Sequence, residues 1–142
     1  MYRRISKRYP AVLIRQFLSR GGLGPALKTV ARRSAGPVEI HIGIDRRVPE
    51  SAEVAAYYVV AEALTNAAKY ARASEVRVSI EAAGTNLSLS ITDDGIGGAD
   101  PQEGSGLIGL IDRVEALGGK LRISSVVGSG TSLLAMIPFE GS

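Results

Sequence analysis

Apolar and polar residues alternate along several short segments of this chain, the pattern of β-strands that bury one face. In the first segment Ile40 and Ile42 flank His41, so the isoleucines and the histidine point to opposite sides of the strand. His41 is thereby predicted on the polar side, as a solvated side chain. The alternation predicts strands over residues 38–44, 76–81, 86–93, 121–127 and 131–137.

Other segments repeat apolar residues at helical spacing, and they predict helices over residues 11–20, 24–34, 51–71 and 107–117. Ser51 is expected to cap the longest helix, and Gly118 with Gly119 to end the last one. After the first helix, the order is helix, strand, long helix, two strands, helix and two strands. This order predicts an α/β (α+β) fold, a two-layer sandwich whose helices cover one face of a mixed, mostly antiparallel sheet.

The composition narrows the functional classes. The chain has 142 residues, enough for one domain with a sizeable core, and it has no cysteine. Disulfides, thiolate metal sites and thiol nucleophiles are therefore excluded. No apolar run is long enough to span a membrane and no signal-peptide pattern is present, so a soluble, cytoplasmic protein is expected.

Positive charge is concentrated at the start of the chain. Residues 1–38 hold nine Lys or Arg and no acidic residue, against a net charge of +3 for the whole chain. Such an arm can bind nucleic acid or an anionic membrane, but a solvated helical face of a longer protein is the favoured explanation. We expect a basic helical arm at residues 1–22 and a folded domain at residues 23–142.

Asp93 ends the strand of residues 86–93, on the same side as its apolar residues. A carboxylate is costly to bury there unless a specific donor pairs with it, so Asp93 is predicted to accept a hydrogen bond from a ligand. Gly95 and Gly97 follow, and they allow a flat ligand to approach the backbone closely. Further along, the N–H groups of Gly106 and Leu107 at a predicted helix start suit a phosphate.

The long helix carries a second group of polar residues. Their spacing places them on one face of the helix, and they are Glu62, Asn66, Lys69 and Tyr70. Together they could serve a metal-bound polyphosphate, with an acid/base group, a metal-ligating oxygen, a counter-charge and an aromatic surface. An exposed helical face with favourable polar spacing is an equally good explanation of this spacing alone.

Four motifs resemble those of the ATP-binding superfamily shared by DNA gyrase, MutL and sensor histidine kinases. They correspond to the N box (Glu62 to Ala71), the first glycine box (Asp93 to Gly97), the second (Gly104 to Leu107) and the closing Gly130-Thr131 with Pro138. The surrounding residues are similar to the catalytic, ATP-binding domain of bacterial two-component kinases of the nitrate-sensor, NarL-partnered type. The resemblance implies a Bergerat-type fold and an ATP-binding kinase domain at residues 23–142, with a basic helical arm or remnant of a dimerisation region at residues 1–22.

The resemblance also implies roles for single residues. Asp93 would accept a hydrogen bond from the adenine amino group, with Thr131 beside it and Gly95, Ile96 and Gly97 flanking the base. Asn66 would ligate Mg²⁺, Lys69 would meet phosphate oxygens and Tyr70 would lie near the adenine or ribose. The segment from Gly98 to Gly104 would be a short ATP lid. Gly104 and Ser105 would contribute to nucleotide binding, and Gly106 and Leu107 would donate backbone N–H groups to the phosphates. Glu62 would be the acid/base residue that orients the nucleophile.

The implied function is that of a kinase domain which binds Mg·ATP and passes the γ-phosphoryl group to a histidine. His41 lies on a strand, so the acceptor is expected on a separate dimerisation domain of the same kinase, with a response regulator downstream. ATP and ADP would be ligands, nucleic acid would not be a direct partner, and a membrane would be reached only through other parts of the protein.

This function has two alternatives, of which the first stays open and the second is discounted. The first is a stand-alone anti-sigma-factor serine kinase of the same superfamily, which the absence of an acceptor histidine favours slightly. The second is a dinucleotide-binding oxidoreductase, because Gly104 to Gly109 matches G-x-G-x-x-G. That fingerprint should directly follow a strand and precede a second strand that ends in an acid, and neither condition is met.

Overall fold

The protein is a two-layer sandwich of three helices and a five-stranded sheet within the residues that the structure describes. The structure is a computed structural model, and it describes residues 18, 21–34, 36–44, 47–68, 75–95, 107–125, 127–128 and 130–139. The elements in chain order are α1 (Leu23–Arg32), β1 (Val38–Gly43), α2 (Glu50–Asn66), β2 (Val76–Ala83), β3 (Asn86–Asp93), α3 (Leu107–Ala116), β4 (Lys120–Ser125) and β5 (Thr131–Pro138).

The sheet is mixed and mostly antiparallel. Its strand order is β1-β2-β3-β5-β4, and only β1 and β2 run parallel. A parallel pair needs a long crossover, and α2 is part of that connection. β2 and β3 form a hairpin that turns at Gly84, whose φ of 61° suits a tight turn. The predicted fold class and element order are confirmed.

One face of the sheet packs against the helices, and the other is open. Inward side chains such as Ile80, Leu89 and Ile137 join buried residues of all three helices in one core. The outward side is polar apart from a few residues such as Leu134 and Met136, which are 51% and 49% exposed. His41 is exposed on the outward side of β1, as the alternation predicts.

The long helix α2 is the centre of the core. All but one of the residues from Ala52 to Leu64 are buried, because the sheet, α1 and α3 surround it. The predicted cap is wrong: Pro49, not Ser51, precedes the first helical turn, and no side chain caps it. Pro49 lacks a backbone N–H and fixes its own φ, while Glu50 and Glu53 place negative charge at the positive end of the helix.

The structure contradicts one further sequence prediction and tests part of another. Val127 was expected in the fourth strand, but β4 ends at Ser125 and Val127 lies in a turn, 81% exposed. Its neighbour Gly128 has a φ of 85°, which turns the chain toward β5. Leu18 is helical and buried in the core, whereas the rest of the predicted helix at 11–20 lies outside the described residues. In the described residues, no helix is both long and apolar enough to cross a membrane.

Candidate functional site: the ATP-binding face

The polar stripe of α2 is enclosed. Tyr58, Glu62 and Asn66 recur every four residues and so lie on one side of the helix. Glu62 is 1% exposed. The amide of Asn66 is also buried, and neither its Oδ1 nor its Nδ2 has a hydrogen-bond partner in the described part of the chain. An exposed helical face therefore does not explain Glu62 and Asn66.

The second part of the site is the point where β3 and β5 meet. Asp93, the last residue of β3, lies opposite Thr131, the first residue of β5. The backbone N–H of Gly95 donates to Asp93 Oδ1 at 2.8 Å, which fixes the orientation of the carboxylate. The other oxygen, Oδ2, accepts no hydrogen bond from any residue that the structure describes. Asp93 thus has an acceptor left for a ligand.

The neighbouring acid, Asp94, has a structural task. Its Oδ1 accepts a hydrogen bond from the backbone N–H of Glu75 at 3.0 Å, and its own N–H donates to the carbonyl of Glu75 at 3.4 Å. These bonds extend the pairing of β2 and β3 by one residue. The two adjacent carboxylates therefore have different hydrogen-bond partners in the structure.

Thr131 and the residue before it contact both neighbouring strands. It is 9% exposed, and its hydroxyl lies 2.7 Å from the hydroxyl of Ser125 at the end of β4. The residue before it, Gly130, has a φ of 78°, and a Cβ atom there would collide with the carbonyl oxygen of Asp93. Only glycine lets the two strands approach this closely. The Gly-Thr pair and Asp93 consequently form one rigid corner.

The third part is the start of α3. Leu107 is the first described residue of α3, because residues 96–106 lie outside the described residues, and it is 2% exposed. The amino-terminal end of a helix carries partial positive charge. α2 packs against α3, β3 and β5, so the helix that carries Asn66 contacts the elements that carry Asp93, Thr131 and Leu107.

Several predicted site residues lie outside the described residues, and their roles stay predictions. They are Lys69, Tyr70, Ile96, Gly97, Gly104, Ser105 and Gly106. Those that the structure does describe, from Glu62 to Thr131, lie on elements that pack together.

Sequence reasoning missed one contact at this site. The guanidinium carbon of Arg113, in the last turn of α3, lies 4.1 Å from the centre of the Tyr58 ring. Tyr58 could have been noticed as the residue one turn before Glu62 on the same stripe. Nothing in the sequence links it to Arg113, because their pairing depends on how two helices pack.

Residues 51–141 match the family of histidine kinase-, DNA gyrase B- and HSP90-like ATPases. The chain belongs to this family. The membership expected from the four motifs is confirmed, and the oxidoreductase alternative is wrong. Domains of this family bind ATP, so the enclosed stripe, the Asp93 corner and the start of α3 are together the candidate ATP site.

Similar proteins within the family are named as sensor kinases. The chain is 42% identical to the signal transduction histidine-protein kinase/phosphatase DegS of Brevibacillus brevis, over 69% of this chain and 26% of DegS. It is 32% identical to the oxygen sensor histidine kinase NreB of Staphylococcus carnosus, over 82% of this chain and 36% of NreB. The chain therefore spans only about a quarter to a third of these relatives.

A solved structure of a histidine kinase is also similar to this chain. The blue-light activated histidine kinase EL346 of Erythrobacter litoralis superposes with a TM-score of 0.65 at 25% identity, over 82% of this chain and 40% of that one. The chain is thus an ATP-binding catalytic domain of the histidine kinase type, and the serine-kinase alternative is not favoured.

Proposed function

We propose that this domain binds Mg·ATP and transfers the γ-phosphoryl group to a histidine on a separate dimerisation domain of the same kinase, for passage to a response regulator. The observation that carries the proposal is the buried amide of Asn66, which has no hydrogen-bond partner among the described residues. A buried polar group without a partner is costly, so its retention points to a ligand that completes it.

The residues present fit Mg²⁺. An amide oxygen is a hard ligand, and Mg²⁺ is usually held by one or two protein oxygens together with substrate phosphates. Asn66 Oδ1 would supply the protein oxygen, and the bound ion would neutralise charge on the phosphates. Lys69 would add a positive charge three residues further along.

The adenine would be recognised at the corner of β3 and β5. Asp93 Oδ2 would accept from its amino group while the Gly95 N–H holds the other carboxylate oxygen. Ile96 and Gly97 would flank the base, and Tyr70 would cover it or the ribose. The phosphates would then extend toward the N–H groups of Gly106 and Leu107, with Ser105 beside them and Gly104 at the end of the short lid.

Phosphoryl transfer asks the protein mainly for positioning and charge neutralisation. Glu62 would orient the incoming histidine and receive its proton, and its burial keeps bulk water away from that step. The basic segment at 1–22 would belong to the connection with the dimerisation domain, and residues 23–142 to the ATP-binding domain.

The test is transfer in trans. The 142-residue chain is mixed with the separately produced dimerisation domain of its own kinase and with labelled ATP and Mg²⁺. Acid-labile label on that domain, lost with Glu62→Gln although ATP still binds, is the expected result. Absence of label with intact ATP binding would overturn the transfer step, and label on serine would favour the anti-sigma-factor alternative.

A further inference from the structure

Arg113 occupies an unusual environment. Its guanidinium stacks on Tyr58, which is 2% exposed, and its Nε atom is buried without a hydrogen-bond partner among the described residues. The helix does not need this residue for its core packing, since Leu107, Leu110 and Val114 already bury its apolar side. Arg113 as a whole is half-buried, but a buried N–H group without an acceptor costs stability, so the contact calls for an explanation beyond packing.

The contact joins the two helices of the phosphate site. Tyr58 lies one turn before Glu62 and two turns before Asn66 on the same stripe of α2. Arg113 lies six residues after Leu107, roughly 9 Å along α3. A slide or rotation of α3 along α2 would therefore change the distance between the helix start at Leu107 and the amide of Asn66.

We propose that Arg113 is a positioning residue for the ATP β- and γ-phosphates. By stacking on Tyr58 it fixes the register of α3 on α2, and so places the N–H groups at the start of α3 opposite Asn66. The inference rests on the proposed function, in which the phosphates lie between these two groups. A planar guanidinium suits the task because it lies flat on an aromatic face, which an ammonium group does not.

The adenine corner does not depend on this register, since Asp93 and Thr131 are fixed by strand pairing. Loss of Arg113 should thus weaken ATP more than AMP, which lacks the β- and γ-phosphates. Binding of both nucleotides, each with Mg²⁺, is measured by calorimetry on the full chain. Arg113→Met should weaken ATP by about tenfold, given the steep dependence of such sites on ångström displacements, and AMP by no more than about twofold.

Two further variants sharpen the test. Arg113→Lys should give an intermediate ATP-to-AMP ratio, because the charge is kept and the flat stacking is lost. Arg122→Met removes an exposed arginine on the outward side of β4 and should match the wild type. The far-ultraviolet circular dichroism and melting temperature of each variant are recorded alongside.

An equal loss of ATP and AMP affinity in Arg113→Met would mean that Arg113 has only a structural role. Unchanged ATP affinity in this variant would mean that Arg113 does not position the phosphates. Either result overturns the inference. Failure of the proposed function is distinguishable, because it would show in the wild type as ATP binding that Mg²⁺ does not strengthen.

Discussion

Arg47 donates from Nε and Nη2 to the two carboxylate oxygens of Glu53, each at 3.1 Å. Glu53 lies in the first turn of α2 and is 2% exposed, whereas Arg47 is 57% exposed. The same Nη2 donates to the backbone carbonyl of Leu18 at 3.1 Å. One guanidinium thus joins the segment before α1 to the helix that carries Glu62 and Asn66.

This pair gives the first prediction, which concerns stability. Arg47→Met leaves a buried carboxylate unpaired and should lower the free energy of unfolding by about 2 kcal/mol, less than the ~3–5 kcal/mol of a fully buried pair because water reaches Arg47. Amide exchange of Gly22, which donates to the Leu18 carbonyl, should also become faster. Denaturant unfolding and hydrogen exchange measure the two effects.

The control is Arg77→Met, which breaks an exposed pair with Glu75 and should leave the unfolding midpoint unchanged. Equal losses of unfolding free energy in both variants would contradict a stabilising role for the Arg47–Glu53 pair.

The hydrogen bonds and the charge of Glu53 raise the pKa of Arg47. The contribution of the pair to stability is therefore complete below the ordinary arginine pKa, and it is lost only as the pH rises through the raised value.

Asp93 gives the second prediction. Asp93→Asn can still accept from the Gly95 N–H through Oδ1, so the corner should keep its shape. Its amide nitrogen would then oppose the adenine amino group, and ATP binding should weaken by about 1–3 kcal/mol, roughly 5- to 150-fold in Kd. Asp94→Asn, next in the chain, is the control, and its ATP affinity in calorimetry should equal that of the wild type. A similar loss in both would argue against Asp93 as the base-binding group.

Asn66 gives the third prediction, in which stability and binding move in opposite directions. Asn66→Ala removes two buried polar atoms that lack partners, and it places a better helix former in α2. The nucleotide-free protein should become more stable by about 1 kcal/mol. Mg²⁺ should no longer tighten ATP binding, while AMP binding stays the same.

Thermal unfolding and calorimetric titrations with and without Mg²⁺ measure these effects. Asn86→Ala, at the far end of β3, is the control for the loss of an asparagine. A destabilised Asn66→Ala protein that still responds to Mg²⁺ would show that the amide is structural.

Much of the fold was predictable because each strand buries one face. The alternation around Ile80, Leu89 and Leu133 located the strands, and the structure confirms them. Details at the ends of elements were less predictable: Pro49 rather than Ser51 precedes the first turn of α2, and Val127 lies in a turn. Such ends depend on single backbone conformations that carry no periodic signal.

The candidate site was also only partly predictable from the sequence. Spacing placed Glu62 and Asn66 on one face of a helix, but it did not reveal whether that face was buried or exposed. The opposition of Asp93 and Thr131 depends on strand register between segments almost 40 residues apart. The stacking of Arg113 on Tyr58 depends on helix packing in the same way. Contacts of this kind are set by tertiary structure, and no local pattern in the sequence specifies them.

Gly130 gives the fourth prediction. In Gly130→Ala the new Cβ atom is strained by a left-handed φ of 78° and also collides with the Asp93 carbonyl. In Gly128→Ala the backbone is strained by a left-handed φ of 85°, but the Cβ atom lies in open space. The Gly128 variant should lose about 1–2 kcal/mol of unfolding free energy, and the Gly130 variant clearly more. Gly130→Ala should also weaken AMP binding, because it displaces the adenine corner. Equal melting temperatures for the two variants would show that the collision is relieved without cost.

The last prediction is that the chain alone does not phosphorylate itself. His41, the one histidine of the sequence, is exposed on the outward side of the edge strand β1. Glu62 and Asn66 belong to α2, which packs on the other side of the sheet. Because transfer needs the acceptor nitrogen in line with the γ-phosphorus, with about a hundredfold loss of rate for an ångström of misplacement, His41 is excluded as an acceptor within one molecule.

Incubation with labelled ATP and Mg²⁺ should therefore give no acid-labile label, and His41→Ala should behave as the wild type. Slow ATP hydrolysis is the most that the isolated chain should show, since Glu62 would have only water to orient. Transfer between two molecules would reveal itself as label that rises with the square of protein concentration and disappears in His41→Ala. Such label would make the chain a self-sufficient kinase and remove the need for a separate acceptor domain.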